Sequence, residues 1–356
     1  MTKLKLRKTT VNNLITYLMV IAAFIICQCT IGNGMMSRSL KGQLVPICVY
    51  IVMAVSLNLT VGISGELSLG HAGFMSVGAF SGIVMSSWLV SAFQLENTVI
   101  RLLISMVVGG VFAGLAGVLI GIPVLRLRGD YLAIVTLAFG EIIRNVLNCL
   151  YVSVEGRTLY ISFNNPDLAG KMLINGPAGA TGVSKIATFT IGFALILFAL
   201  IVVLNLINSR AGRAIMAIRD SRIAAESVGI NITKYKMMAF VISAALAGMA
   251  GALYGMNYST VTASKFKFDT SILVLVFVVL GGIGNIRGSI VAAALLTILP
   301  ELLRAFSDYR MLVYAIVLIL VMLLTNNPVL KTNLKLLRAK VFKSGSATNE
   351  DGGDPA

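Results

Sequence analysis

Long apolar runs separated by short polar segments dominate this sequence. Most runs approach the roughly 20 residues that an α-helix needs to cross about 30 Å of hydrocarbon. The pattern therefore predicts an all-α fold, a polytopic transmembrane helical bundle of about ten spans. The predicted spans lie at about 11–31, 44–61, 71–91, 100–122, 131–151, 186–207, 238–256, 270–284, 288–303 and 311–325.

The composition is typical of a membrane protein, and the distribution of charge predicts which side of the membrane the chain ends face. Of the 356 residues, 57% are hydrophobic and 12% are charged, against roughly 25% charged residues in soluble domains. The net charge of +15 lies mainly between the spans, so membrane topology explains it better than nucleic-acid binding. Lys and Arg are nearly twice as numerous on the side that holds both chain ends, which predicts that both termini are cytoplasmic.

These assignments divide the chain into three parts. Residues 1–10 form a basic cytoplasmic N-terminus, and residues 11–325 form the transmembrane domain. Residues 326–356 form a cytoplasmic tail whose small, polar and acidic end is predicted to be disordered.

The most strongly charged segment between two apolar runs is 208–237. Its basic residues are Arg210, Arg213, Arg219, Arg222, Lys234 and Lys236. Asp220 is placed to cap a short helix that ends at Gly229, and Arg222 is spaced to pair with Glu226. A short, capped, basic helix suits docking of a cytoplasmic partner. An ordinary cytoplasmic loop made basic by topology has the same pattern, and the pattern alone does not separate the two.

A glycine-rich stretch, 62–82, follows the second span. So many glycines weaken a regular helix, by roughly 1 kcal/mol each relative to alanine. Irregular backbone at membrane depth persists where it is buried in protein or lines a watery cavity. The stretch is therefore either a broken helix beside a translocation pathway or an ordinary helix packed closely on its neighbours. The candidate residues are Gly62, Gly65, Glu66, Gly70, His71 and Gly73.

Charged residues also occur inside the fifth span, where Glu141 and Arg144 stand three positions apart. This spacing puts both side chains on one helix face, where they can form an ion pair. Ionisable groups within a membrane are costly and often functional, although a structural ion pair explains them equally well.

Small residues at near-four-residue spacing predict close helix packing. They form two ladders, at Gly110, Gly114, Gly117 and Gly121, and at Ala244, Gly248 and Ala252. The ladders indicate a tight bundle, with a dimer face as a further possibility. A separate glycine-rich segment, 281–288, predicts a tight cytoplasmic turn between two short spans.

Several kinds of chemistry have no support in the sequence. His71 is the single histidine, and the four cysteines do not have metal-ligand spacing with it. No catalytic residues and no metal site are predicted. The phosphate-binding pattern GxxxxGK[ST] is absent from the sequence, so ATP-driven transport would require hydrolysis by another subunit.

Four segments together resemble the LivM-type permease of branched-chain amino acid ABC importers. They are SLNLTVGISGELSLGHAGFMSVGAF (56–80), GDYLAIVTLAFGEIIR (129–144), the block from SRAGRAIMAIRDSR to GALYG (209–255) and FVVLGGIGNIRGSIVAAALL (277–296). They occur in the family's order and cover roughly 44–305. The first span and the tail match poorly.

The resemblance implies that 209–230 couples the permease to an ATPase. Ala224, Ala225, Glu226 and Gly229 match the family's EAA-like loop, and Arg213, Arg219 and Asp220 lie in the same block. It further implies a multi-pass protein of the bacterial inner or plasma membrane that is not itself an enzyme.

The implied partners are two ATP-binding cassette ATPases, a second LivH-type permease and an extracytoplasmic binding protein. ATP and Mg would bind to partner subunits, and this chain would bind no cofactor. Branched-chain amino acids are the expected substrates, with urea, short amides or other amino acids as alternatives. A stand-alone secondary transporter remains a less favoured reading, since a coherent set of intramembrane carboxylates is missing.

Overall fold

A computed structural model describes residues 8–33, 37–127, 129–163 and 168–303, with isolated positions between 309 and 319. Eleven α-helices lie in this part of the chain. They are α1 (Lys8–Gly32), α2 (Arg38–Asn58), α3 (His71–Phe93), α4 (Thr98–Val124), α5 (Asp130–Asn148), α6 (Phe189–Asn208), α7 (Arg210–Asp220), α8 (Arg222–Ser227), α9 (Ile232–Gly255), α10 (Phe268–Gly281) and α11 (Ile286–Leu302).

Within the described residues, seven helices are long and apolar enough to cross a membrane. They correspond to the first seven predicted spans. The predicted spans at 270–284 and 288–303 correspond to α10 and α11, which have 14 and 17 residues. Most of the tenth predicted span and the whole 326–356 tail lie outside the described residues. The total of ten spans and the cytoplasmic termini therefore stay predictions.

Small residues bring α3, α4 and α9 into close contact. A Cβ atom added at Gly248 on α9 would lie 2.3 Å from the Ala113 Cβ and 2.5 Å from the Gly109 carbonyl oxygen on α4. One added at Gly117 would lie 2.8 Å from the Ala244 Cβ. The two predicted ladders therefore pack on each other within one chain. The tight bundle is confirmed, and the suggestion that these residues form a dimer face is wrong.

The outer side of α4 is apolar and exposed, as expected for a surface in contact with lipid. Its exposed side chains recur every four residues, at Leu103, Val107, Val111, Leu115 and Leu119. This spacing forms one stripe along a helix, whereas the glycines of the ladder on the same helix are buried.

A small antiparallel sheet corrects the all-α prediction. Its strands are β1 (Leu150–Glu155), β2 (Thr158–Phe163), β3 (Lys171–Asn175), β4 (Ala180–Thr181) and β5 (Thr260–Val261), in the order β2-β1-β3-β4-β5.

A two-residue turn joins β1 to β2, with Gly156 at φ +59° and Glu155 paired with Thr158. Hairpins favour turns that begin with a glycine at positive φ. The central strand β1 buries Val152 and Val154 and aligns Val152 with Ile161 of β2 and with Ile174 of β3. The sheet follows the C-terminal ends of α5 and α9, so we call this end of the bundle the sheet end. The opposite end, which carries α7 and α8, is the loop end.

Candidate functional site

The helical path of the second span breaks between Ile63 and His71. After α2 the chain makes a π-helical turn, Leu59–Ile63, and then runs without helix from Ser64 to Gly70 before α3 begins. Gly65 has φ +75°, a conformation that glycine adopts with little cost. We call residues 59–70 the interrupted segment. The break lies within the first half of the glycine-rich stretch, and the rest of that stretch is the regular helix α3.

Side chains from other helices satisfy backbone N–H groups at the break. Leu69 N donates to the Thr136 Oγ1 of α5 at 3.1 Å, and Ala72 N donates to the Ser271 Oγ of α10 at 3.0 Å. A Cβ added at Gly70 would lie 2.1 Å from the Thr136 carbonyl oxygen. Irregular backbone inside a membrane protein needs such partners, because lipid offers none.

Two polar atoms of the interrupted segment have no hydrogen-bond partner among the described residues. They are the Thr60 Oγ1 and the Ser68 Oγ, and both are buried. Buried hydroxyl groups are normally paired with protein or ordered water. Their position agrees with the prediction of a watery pathway along this segment, which stays a prediction.

His71 is buried at the start of α3, where its Nε2 lies 2.8 Å from the Ser56 Oγ of α2. The Ser56 hydroxyl donates to the Met53 carbonyl oxygen at 2.9 Å. A hydroxyl has one proton to donate, so the Nε2–H of His71 donates to Ser56. The ring thus joins α2 to α3, and this geometry favours a structural role.

The helix α7 reaches the interrupted segment through Arg219. Its Nη1 donates to the Gly62 carbonyl oxygen at 3.0 Å, and its Nε and Nη2 donate to the Asp220 Oδ1 at 3.1 and 3.0 Å. A Cβ added at Gly65 would lie 2.7 Å from the Arg219 Cγ, so glycine at this position makes room for the arginine stem. Two residue groups that the sequence singled out separately therefore meet in one place.

A second contact joins the same parts of the chain. Glu66 forms an ion pair with Lys236 in the first turns of α9, and both side chains are nearly buried. Breaking one partner of a buried pair leaves an uncompensated charge, which is strongly destabilising. Sequence reasoning named Glu66 as a pathway residue and Lys236 as a basic loop residue, and it missed that they pair.

Asn58, the last residue of α2 before the interrupted segment, contacts the turn between α10 and α11 and the first residues of α11. Its Nδ2 donates to the Ser289 Oγ at 2.9 Å, and its Oδ1 accepts from Gly284 N at 2.9 Å. A Cβ at Gly62 would lie 2.4 Å from Gly284 N. The tight turn predicted at 281–288 is present. We call these contacts of residues 58–66 with α7, α9 and the 282–285 turn the loop-end junction.

The short helix α8 is capped differently from the prediction. Asp220 is the last residue of α7, and Ser221 is the N-cap of α8, with its Oγ accepting from Ala224 N at 3.3 Å. Asp220 instead accepts hydrogen bonds from Arg219, its neighbour in the sequence, through its Oδ1. Gly229 follows α8 with φ +80°, as a helix C-terminal glycine does.

One side of α8 is held by the protein and the other is free in this chain. Ala225 is buried with Ile218 of α7 and Ile232 of α9, which fixes the helix to its neighbours. Ile223 and Val228 are 83% and 77% exposed. Ala224 and Glu226 are also exposed, and the expected Arg222–Glu226 pair is not among the ion pairs of the described residues.

Arg213 and the Glu141–Arg144 pair make their contacts elsewhere in the structure. The Arg213 Nη1 donates to the Asn208 carbonyl oxygen at 3.3 Å, at the junction of α6 and α7. On α5, the Arg144 Nε donates to the Glu141 Oε2 at 2.7 Å, so the two side chains pair as their spacing allowed. Gly73 of α3 lies beside Gly140 of α5, since a Cβ atom added at Gly73 would be 3.0 Å from the Gly140 Cα.

The fold defines a multi-pass membrane protein with a short exposed helix at the loop end, joined to a broken span. Residues 39–322 match the family "Branched-chain amino acid transport system / permease component". The chain belongs to this family of membrane permeases.

Relatives extend the similarity over most of the chain. The "High-affinity branched-chain amino acid transport system permease protein LivM" of Escherichia coli (strain K12) is 33% identical over 339 residues, which cover 85% of this chain and 72% of the relative. The "Probable branched-chain amino acid transport permease protein LivM" of Methanocaldococcus jannaschii is 24% identical over 265 residues, 67% of this chain and 74% of the relative.

The "High-affinity branched-chain amino acid transport system permease protein LivH" of Escherichia coli (strain K12) is 35% identical over 117 residues, 32% of this chain and 38% of the relative. No solved structure matches the chain.

Proposed function

We propose that this chain is one permease subunit of an ABC importer that carries branched-chain amino acids across the cell membrane. Membership of the permease family supports the proposal, because the LivM relatives carry that substrate class in their names. The chain contributes the translocation pathway and performs no covalent chemistry. ATP and Mg bind to partner ATPases.

The proposed assembly contains this chain, a LivH-type permease, two ATPases and an extracytoplasmic binding protein. The partial similarity to LivH supports a second permease of related design. We place both termini and the loop end in the cytoplasm, as the distribution of Lys and Arg predicts. The sheet end then faces the binding protein.

The observation that carries the coupling proposal is the hydrogen bond from Arg219 to the Gly62 carbonyl oxygen. ATP binding brings the two ATPases together, and α8 is the part of this chain that contacts one of them. Ile223 and Val228 offer an apolar contact of the kind that centres a protein interface. Because Ala225 packs α8 onto α7 and α9, a displacement of α8 moves Arg219 and Lys236 with it. Both side chains hold the interrupted segment.

The same design would serve a permease for urea, short amides or other amino acids. A stand-alone secondary transporter is disfavoured, because the two carboxylates considered for it, Glu66 and Glu141, are each paired with a basic side chain. Such pairs do not form the carboxylate relay that an ion-driven carrier uses.

Uptake into proteoliposomes tests the proposal. The complete complex is reconstituted with radiolabelled L-leucine and loaded binding protein on one side and ATP on the ATPase side. We expect uptake that requires ATP hydrolysis and is competed by L-isoleucine and L-valine but not by urea. Uptake that follows an imposed ion gradient without ATP would establish the secondary transporter instead.

A further inference from the structure

One apolar face of the small sheet continues past the part that the helices cover. Opposite residues of an antiparallel pair share a face of the sheet. The register therefore places Leu159 and Ile161 of β2 on the face that carries Val154 and Val152 of β1. The two valines are buried, whereas Leu159 and Ile161 are 39% and 62% exposed. Phe163, two positions further along β2 and on the same face, is 63% exposed.

The helix α3 covers this face of β1, and a loop covers the other face. Both β1 and β3 contact α3. On the face away from the two valines, the Ser153 Oγ donates to the Ala169 carbonyl oxygen at 2.6 Å, so the residues that lead into β3 lie on that side. The buried valines therefore face α3. The same face of β2 points past the edge of the bundle, toward what surrounds it.

Contacts between helices give the height of the β1–β2 turn. A Cβ added at Gly255, the last residue of α9, would lie 3.0 Å from the Ile83 Cδ1, so α9 ends level with Ile83 of α3. The Trp88 Nε1 donates to the Arg157 carbonyl oxygen in the turn at 3.0 Å. Trp88 is five residues beyond Ile83, about 7.5 Å along a helix. Because α9 has 24 residues, enough to cross roughly 30 Å of hydrocarbon, the turn lies at the depth of the lipid headgroups.

The other end of the hairpin lies slightly deeper. Gly73 of α3 is beside Gly140 of α5, and α5 ends at Asn148, about 12 Å further along. On α3, Ile83 is about 15 Å beyond Gly73, so α5 and α9 end at similar heights. β1 begins two residues after α5 and has six residues, a length of about 20 Å. The strand therefore runs mainly along the membrane surface.

The side chains of the hairpin agree with this depth. Phe163 is paired with Leu150 at the deeper end, and Arg157 is exposed at the shallower end. Aromatic rings are enriched where a membrane meets water, and Trp88 lies against Phe93 with their ring centroids 5.3 Å apart. β2 is an edge strand, so its outward N–H and C=O groups need partners, which headgroups and water offer and hydrocarbon does not.

We propose that the β1–β2 hairpin lies in the membrane interface at the sheet end, with the exposed apolar face of β2 in contact with phospholipid. Leu159, Ile161 and Phe163 contact the upper part of the acyl chains. The outward backbone groups of β2 bind water and headgroup oxygens. Lipid is the occupant because the face is continuous with the bundle's own membrane surface: Phe93, which is 56% exposed, contacts the Trp88 that holds the turn. This contact is independent of the transported substrate.

The test uses the full chain, with the subunits that co-purify with it, in phospholipid vesicles. Ile161→Cys carries an environment-sensitive fluorophore on the only reactive cysteine. Its quenching by phospholipid with a nitroxide near the top of the acyl chain is compared with its quenching by aqueous iodide. Leu115→Cys, on the exposed stripe of α4, is the lipid reference. Thr158→Cys is the matched control, since this exposed residue of β2 points to the opposite face of the sheet.

We expect the label at position 161 to emit at a shorter wavelength than the label at position 158. The lipid nitroxide should quench it as it quenches the label at position 115, and quenching by iodide should be lost. Size-exclusion chromatography shows whether each labelled preparation is intact. Phe163→Cys, on the same face of β2, repeats the measurement if Ile161→Cys does not fold.

Two results would overturn the membrane contact. Equal quenching by iodide at positions 161 and 158 would show that β2 is surrounded by water. Protection of position 161 from both quenchers would show that another protein, such as the second permease, covers the strand. Neither result bears on ATP-driven uptake, so the proposed function is tested separately.

Discussion

Replacing Arg219 with alanine removes the one side chain of α7 that binds the carbonyl oxygen of Gly62. It leaves intact the exposed face of α8 and the Ala225 cluster that holds α8 in place. We therefore expect the complex to assemble with its ATPases, and the connection between the loop and the interrupted segment to weaken.

The size of the effect follows from the contacts that are lost. A hydrogen bond that involves a charged group contributes about 1.5–3 kcal/mol. The Arg219–Asp220 ion pair adds little, because the two side chains are 38% and 69% exposed and exposed pairs are worth about 0–1 kcal/mol. If the Gly62 contact carries most of the coupling, a loss of 1.5–3 kcal/mol reduces coupling by about 10- to 150-fold.

The assay compares ATPase activity of the reconstituted complex with and without loaded binding protein. For Arg219→Ala we expect basal ATPase activity near that of the wild type, a largely lost stimulation by binding protein, and a matching loss of L-leucine uptake. Arg210→Ala is the matched control, because Arg210 is an exposed arginine at the start of the same helix. Normal stimulation and uptake in Arg219→Ala would refute the reasoning.

Three further predictions concern packing and orientation. Gly248→Ala should lower the free energy of unfolding by about 1–3 kcal/mol through overpacking, whereas Gly114→Ala, whose nearest atom would lie 3.5 Å away, should be tolerated; thermal unfolding of the purified complex measures both. Gly65→Ala should lower the free energy of unfolding more than Gly182→Ala does in the same measurement. Both glycines have a positive φ, but only at Gly65 would an added Cβ atom meet another side chain, that of Arg219. Equal losses in the two variants would contradict the Arg219 contact. In a chain with its native cysteines replaced by serine, Ser227→Cys should react with an impermeant thiol reagent only from the cytoplasmic side, and labelling in intact cells would contradict the proposed topology.

Local patterns in the sequence predicted the contacts that are local in the chain. Glu141 and Arg144 are three positions apart, so helix geometry alone places them side by side. The ladder of small residues on α9 was evident for the same reason, because it repeats with the period of a helix. Which surface the ladder packs against was not evident, since periodicity identifies a face and not its neighbour.

The contacts of the loop-end junction could not be predicted in this way. Arg219 and Gly62 are 157 positions apart, and Lys236 and Glu66 are 170 apart. Such pairings depend on how α7 and α9 pack against the broken span, and no local spacing encodes that. The excess of glycine did locate the interrupted segment, because close approach and a positive φ each favour that residue.

The sheet was missed because its signals are short and interrupted. Two of its strands have two residues each, and β5 lies about eighty positions beyond β4. Clusters of Asn, Pro and Gly also interrupt the strand signals between 152 and 185. The backbone pairing of β4 with β5 joins residues that are distant in the sequence, and a pattern of neighbouring residues does not reveal such pairing.

Coupling in the proposed complex depends most on α8 being the part of this chain that binds an ATPase, and co-purification tests this directly. The tagged permease is isolated in mild detergent as the wild type, as Ile223→Leu and as Ile223→Asp, and the proteins that accompany it are identified. We expect two ATPases with the wild type and with Ile223→Leu, and loss of the ATPase that contacts α8 with Ile223→Asp, because a charge in an apolar contact is costly. Retention of both ATPases by Ile223→Asp, or their absence from the wild-type preparation, would contradict the account.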